Sequence, residues 1–303
     1  MFIIHLSTKE SIINKIIEES KLVLNTFTEF KFSTTEVKKL NTSIKNELIE
    51  SNGNSLEENH KEKLDVKDQR ANHEKKLNKI DRDDADYDED IKELNLFANV
   101  NLAFKMIEIQ GEIIKNYSGT LDGVIKTDLI NGTQSIGLRT LKSLVDLFET
   151  EHDLIVKEIK KIIEKKKHIS LDKKNEDVSA FIFSLASNIS MGVIKRIAKA
   201  TASKDLSGLN KRIIDEDRNN ASKLLIEQAR ELDFENGLDI KNIIDLYQKF
   251  LHDKNNFSIS VLRKLVLEHL YMFEVTFDKR QSICKKLQIN DKQSRSKLIS
   301  SKK

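Results

Sequence analysis

The chain of 303 residues contains no proline. Average usage near 5% would place about 15 in a chain this long. Proline breaks helix interiors and favours turns, strand edges and rigid loops. Its absence argues for long uninterrupted helices and against a loop-rich enzyme scaffold or a β-sandwich. Cys284 is the one cysteine, which excludes an intrachain disulfide and a cysteine-based zinc site and makes a reducing compartment the default. Arginine is scarce, ten residues against 42 lysines. Arginine reads guanine edges and phosphates bidentately, so its scarcity weakens a sequence-specific nucleic-acid reading. Long apolar runs are missing as well. The opening apolar stretch ends at Leu6 with no basic residue ahead of it, too short for a signal peptide. Nowhere do about 18 strongly apolar residues follow one another, so no constitutive transmembrane helix is expected. The expectation is a soluble protein, cytoplasmic or at least without a classical signal peptide; export by another route stays compatible with it.

What is present is charge and helical periodicity. Charged residues make up 33% and apolar residues 38%, against a usual charged share of about 25%. The net charge of +3 is unevenly spread. From Lys279 to Lys303 there are nine basic residues against Asp291, while Asp81 to Glu93 holds eight carboxylates against Arg82 and Lys92.

Three capping boxes punctuate the N-terminal region: Ser7-x-x-Glu10, Ser33-x-x-Glu36 and Ser55-x-x-Glu58. In each, a serine hydroxyl can accept an orphan backbone N–H while the glutamate reaches back to the cap. Apolar residues recur at helical spacing behind the first (Ile12, Ile16, Val23, Phe27, Phe30) and the second (Val37, Leu40, Ile44, Leu48), predicting helices over about 8–30 and 34–51 and a third from about 56. The acidic block reads as a hinge. A strong helix follows from Ile91, carrying Leu94, Phe97, Val100, Phe104 and Ile107. Five of the nine glycines fall between Gly111 and Gly137, which predicts a bend before a helix from Thr140 to Ile163. Further helices are expected over 178–202, 206–234, 238–251 and 259–289. The domain reading is an N-terminal helical hairpin or arm (1–90), a main helical bundle (91–289) and a basic flexible tail (290–303). The fold class is all-α: an elongated multi-helix bundle of roughly eight to ten helices with long, coiled-coil-like members.

Each catalytic or metal-binding spacing falls short of its chemistry. Gly132 to Gly137 has the glycine spacing of a phosphate loop, but Leu138 and Arg139 stand where Lys and Ser or Thr must hold phosphate and magnesium. A glycine turn opening a helix is the plainer reading. Asp84, Asp86 and Asp88 alternate as in a calcium loop, yet Glu89 and Asn95 replace the required Gly and bidentate Glu. His73-Glu74 has Leu77 where a zinc helix needs its second histidine. His152-Asp153 and Glu268-His269 are the adjacent acid–base pairs. Cys284 has two lysines beside it but no nearby histidine to act as base. No cofactor or metal is expected, and the chain reads as non-enzymatic.

The most informative stretch runs from Val178 to Ile194, 17 residues without a charge in a chain one-third charged. Val178, Phe181, Ile182, Leu185, Ile189 and Val193 form one helical stripe. Ser179, Ser187, Asn188 and Ser190 lie opposite, with Ala186 and Gly192 as small packing residues that allow helices to approach closely. Phe181, Ile182, Leu185, Ile189 and Val193 are therefore the candidate contacts to a partner or a membrane. The plain reading is the central helix of a bundle; the functional one is a latent element that enters a bilayer after a conformational change. The Lys-rich end (Lys292, Arg295, Lys297, Lys302, Lys303) lacks the aromatic platforms of single-strand binders but suits non-specific phosphate attraction. Helix–helix association is the leading expectation: a scaffold, an oligomeric assembly or an effector-like binder whose partner is another protein or a second copy. Conversion from a soluble to a membrane form, in the architectural manner of an α-helical pore-forming toxin component, is the alternative. Nucleic-acid association through the tail is the second alternative.

Overall fold

The computed structural model describes residues 10–38, 40, 89–150 and 171–290. Among the described residues there are nine α-helices and no strand. They are α1 (Glu10–Leu22), α2 (Glu89–Tyr117), α3 (Gly123–Thr150), α4 (Leu171–Thr201), α5 (Ser207–Asp215), α6 (Ala221–Leu232), α7 (Ile240–His252), α8 (Asn256–Met272) and α9 (Phe277–Leu287). A short 3-10 turn, Lys204–Leu206, precedes α5. The protein is an all-α multi-helix bundle, as the missing proline and the helical stripes lead one to expect.

Three long rods, α2, α3 and α4, form its spine. The turn over residues 118–122 is too short for a crossover, so α3 runs back along α2, placing Gly132 beside Gln110 and Gly137 beside Ile107. In α4 the direction is that of α2: Arg196 pairs with Glu108, and Ala200 lies against Gly111. Four helices, α2, α3, α6 and α8, pack around α4. The glycines Gly111, Gly132 and Gly137 therefore do not make the bend or helix-opening turn expected of them. All three lie inside α2 or α3, the bend falling at 118–122. A Cβ at Gly111 would sit 2.8 Å from Ala200 Cβ and 2.9 Å from its Cα, and one at Gly137 would sit 2.4 Å from Ile197 Cδ1. Close approach of rods, not a turn, requires glycine here.

Several expected helices are shorter than their stripes. The first ends at Leu22 instead of near residue 30. Arg139 of α3 donates from Nη1 to the Lys21 carbonyl (2.9 Å), capping the helix end, and Leu24 turns the chain with φ of 52°. Residues 28–33 then run as a non-helical strap whose Phe30 and Phe32 are fully buried. The second capping box forms as read: Glu36 N–H donates to Ser33 Oγ (3.3 Å), while Ser33 and Lys31 N–H donate to Glu36 Oε2 (3.3 and 2.9 Å). The single amphipathic stretch expected over 206–234 is two helices, broken at the polar Glu216–Asn220 turn, where Asn220 Oδ1 accepts from Ser222 N–H (3.1 Å) and starts α6. The stretch 259–289 is also two helices. Folding back at Phe273–Thr276 lets Ile283, Cys284 and Leu287 of α9 reach the same core as α8, which a straight rod would forbid. The helix expected from about 178 begins at Leu171.

The described part of residues 1–90 packs onto the bundle. Ile13 and Ile17 of α1 join Ile113, Leu129 and Ile213, and Phe30, Phe32, Val37 and Leu40 join the main core. Ser7 of the first capping box, the whole third box, residues 81–88 of the acidic hinge, His73-Glu74, His152-Asp153 and residues 291–303 of the basic tail lie outside the described residues; Glu89 and Asp90, expected in the hinge, open α2 instead.

Candidate functional site

Among the described residues, α4 has helices on four sides, whereas α2 has an open side around residues 95–106. On α2, Asn95, Asn99, Leu102 and Met106 repeat at steps of four, three and four, a helical seam, with Leu96 beside it. Facing this seam are Glu19 and Leu22 of α1 and the turn Val23–Phe27. Together they line a groove of about 640 Å³. Val23 and Leu24 of its lining belong to a small core cluster with Ala103, Ile107 and Ile136, while Phe27, Leu96 and Met106 stay half-buried. Leu22 is 62% exposed, Leu102 47% and neighbouring Phe97 53%. Glu19 is the one charged liner; Asn25, Thr26, Asn95 and Asn99 supply amide and hydroxyl groups. This is the profile of an apolar seat with a polar rim.

Sequence reasoning did not single out this groove. The α2 stripe through Phe97, Val100, Phe104 and Ile107 accounts for the inner face only in part, since Val100, Ala103, Ile107, Gln110, Ile113 and Ile114 are buried and Phe97 is largely exposed. The leftover Leu96, Leu102 and Met106 were the signal: a rod with apolar residues on a second side has a second contact to make.

The candidate residues of α4 are split by the structure. Ile182 and Val193 are buried, Leu185 and Ile189 half-buried, and Phe181 is 53% exposed. The face expected to be polar and opposite is partly inside, because Ser187 and Ser190 are fully buried beside Ala186. The buried arc centres on Phe183, Ala186, Ser190, Ile194 and Ile197, so the helix is rotated from the expected stripe. Contact with four helices buries nearly half of the residues along this stretch, and its small residues suit close packing there. Asn188 and Gly192 mark the outward line. By length and composition, Ala180–Thr201 is apolar enough to cross a membrane, with a mean hydropathy of 1.2, although 44% of that window is buried in the bundle.

Polar side chains fasten α4. Lys264 of α8 donates to the Ser184 carbonyl (3.2 Å) and to Ser187 Oγ. Lys195 pairs with Glu268 of α8. Arg196 pairs with Glu108 of α2 (3.2 Å) and lies 4.4 Å over the Phe104 ring. At the C-terminal end, Asn210 Nδ2 donates to the Thr201 carbonyl (3.2 Å), and the buried Arg230 donates from Nε to Thr201 Oγ1 (2.8 Å) and pairs with Glu227 (2.8 Å). Burial pushes the Arg230 guanidinium down from its ordinary value while Glu227 pulls it back up. A cation at a helix C-terminus also meets the negative end of the dipole.

Among the described residues, the adjacent acid–base pair Glu268-His269 does not converge on a common site. Glu268 turns to Lys195, whereas His269 sits buried with Nδ1 2.8 Å from the Leu232 carbonyl and its ring tilted against Phe273. Burial lowers the His269 pKa below its ordinary value near 6.5, opposed by the Leu232 hydrogen bond. Burial first, then Glu227 and Asp239, raises the pKa of Glu231. His252 is exposed beside Asp253, and Cys284 is buried. Among the described residues no three His, Cys, Asp or Glu side chains come together to hold a metal. No protein-family model, curated protein sequence or solved structure matches this chain.

Proposed function

We propose that this protein is non-enzymatic and acts by helix–helix association, offering the α1–α2 groove to the apolar face of an amphipathic helix from a partner chain. The observation that carries this is the unfilled seam of α2, where Leu22, Phe97 and Leu102 stand exposed around a groove with one charge. Exposed apolar patches rimmed by polar groups mark association surfaces on soluble proteins. The four amide and hydroxyl liners suit the backbone ends or polar flank of a docked helix, and the lone Glu19 favours a basic residue opposite it. Whether the helix comes from a second copy or another protein is read from the same experiment: light scattering coupled to size exclusion, with wild type and Leu102→Asp. Association that disappears in the variant at unchanged helicity supports the groove; association that persists unchanged removes it.

A second reading, conversion to a membrane-bound form, is favoured by one observation, the span-length apolar composition of Ala180–Thr201, whose charges are confined to Lys195, Arg196 and Lys199 near its end. It predicts dye leakage from liposomes that is lost in Leu185→Asp. Indifference to lipid leaves the first reading alone.

A further inference from the structure

The strap of residues 28–33 crosses the helices that enclose α4. Glu29 and Lys31 face solvent, while Phe30 and Phe32 are fully buried. Phe30 N–H donates to the Leu138 carbonyl of α3 (3.2 Å). Ser222 Oγ, at the start of α6, donates to the Phe30 carbonyl (2.5 Å), and Asn255 Nδ2, the N-cap of α8, donates to the Phe32 carbonyl (2.7 Å). Three of the four helices around α4 are thus tied to one short length of chain. The tie to α4 itself is aromatic. Phe30 lies edge-on to Phe32 (4.7 Å between centroids), Phe32 stacks on Phe257 (5.7 Å), and Phe257 meets Phe183 of α4 edge-on (5.6 Å).

Two features bear on how firmly the strap and α4 are held. Phe32 has φ of 53° and Leu24, just upstream, 52°. Left-handed conformations at bulky residues persist only where the surroundings hold them. The aromatic pocket and the strap's hydrogen bonds supply that constraint, and a departing strap is released from it. The buried arc of α4 also carries hydroxyls, and the Ser190 hydroxyl has no hydrogen-bond partner. A buried, unpaired hydroxyl opposes burial, so α4 is held less firmly by its own surface than an all-aliphatic core helix.

We propose that residues 28–33 are a releasable clasp on α4, and that opening it is the local transition that frees α4 from its cage of helices. The purpose of the release rests on the membrane reading; the mechanics do not. Hydrogen exchange followed by mass spectrometry on the full chain tests it, with Ser222→Ala and Phe32→Ala. Ser222→Ala removes one hydroxyl and leaves the Phe30 carbonyl unpaired at little cost in volume, so it keeps the test valid should Phe32→Ala fail to fold. The clasp predicts that amides of 182–198 exchange about tenfold faster in Ser222→Ala, as expected for stranding one buried acceptor. The α1–α2–α3 end around Ile113, Ile125 and Leu129 keeps its wild-type rate. An equal acceleration of every helix, or one confined to the strap and the first turn of α6, overturns the proposal. A parallel arm measures calcein leakage from phosphatidylcholine–phosphatidylglycerol vesicles. Faster α4 exchange without leakage leaves the clasp standing and removes the membrane reading. Increased leakage with unaltered α4 exchange overturns the clasp.

Discussion

The cage around α4 and the groove beside α2 are built from the same kinds of residue and end in opposite states. In the cage, the stripes of α3, α6 and α8 find partners, and Phe183, Ile194, Ile226, Phe257 and Leu262 lose essentially all contact with solvent. Beside α3 and α4, α2 meets only α1 and the turn after it, and at the groove its remaining apolar residues stay at the surface. The difference lies in how many neighbours each rod has, not in its hydrophobicity. A closed region converts apolar area into stability; an open one retains it for association.

Core truncation should break this contrast most forcefully if it is misplaced. Phe257→Ala is expected to lower unfolding free energy by about 3–5 kcal/mol, read from denaturant midpoints. Leu102→Ala in the groove should stay within about 0.5 kcal/mol of wild type. Equal losses would mean that the groove is structural core. Next come the glycines of the long rods. Gly111→Ala must push Ala200 and its backbone aside, and the expected loss is about 1–3 kcal/mol by overpacking, despite alanine's better helix propensity. Gly192, on the outward line of α4, has open space around it, so Gly192→Ala should gain up to about 1 kcal/mol. Thermal melting of the pair separates rod-to-rod contact from helix propensity.

Acid should act on the cage before the groove. His269 is held neutral by burial, with a pKa below 6.5. The unfolded chain therefore binds a proton that the folded chain does not as pH falls below 6.5 toward the folded value, and stability drops across that window. His269→Asn keeps a donor for the Leu232 carbonyl and removes the titration. Its denaturation midpoint should fall less between pH 7.5 and 5.5 than that of wild type. A parallel decline would assign the pH dependence elsewhere. The smallest effect concerns Lys254, an exposed residue with φ of 54° at the end of α7, where Asn255 N–H returns to the Phe250 carbonyl (2.9 Å). Glycine adopts this cap without strain, so Lys254→Gly should raise stability by about 0.5–1 kcal/mol, measured as a rise in melting temperature.

Much of this could be read along the chain. The Ser33–Glu36 box, the α7 helix and the central place of the uncharged segment follow from local spacing and local capping. The strap did not, because Phe27 and Phe30 fit a helical stripe as well as they fit their real positions. The side chain that ends α1, Arg139, lies far away in sequence. The rotation of α4 was hidden for a related reason. A stripe is visible only when one face is buried, and a helix enclosed by four others buries serines as readily as isoleucines. The groove was legible only as a remainder, the apolar residues of α2 left over once its inner face is assigned.

The residues by themselves determined the all-α class, since no proline interrupts the rods and helical spacing and capping act over only a few positions. Tertiary structure decided where rods stop, which side of each faces inward and where an apolar seam stays uncovered. Those outcomes depend on contacts between residues distant in sequence, such as Arg139 with Lys21, Gly111 with Ala200 and Ser222 with Phe30. No local pattern encodes which distant neighbour will be present.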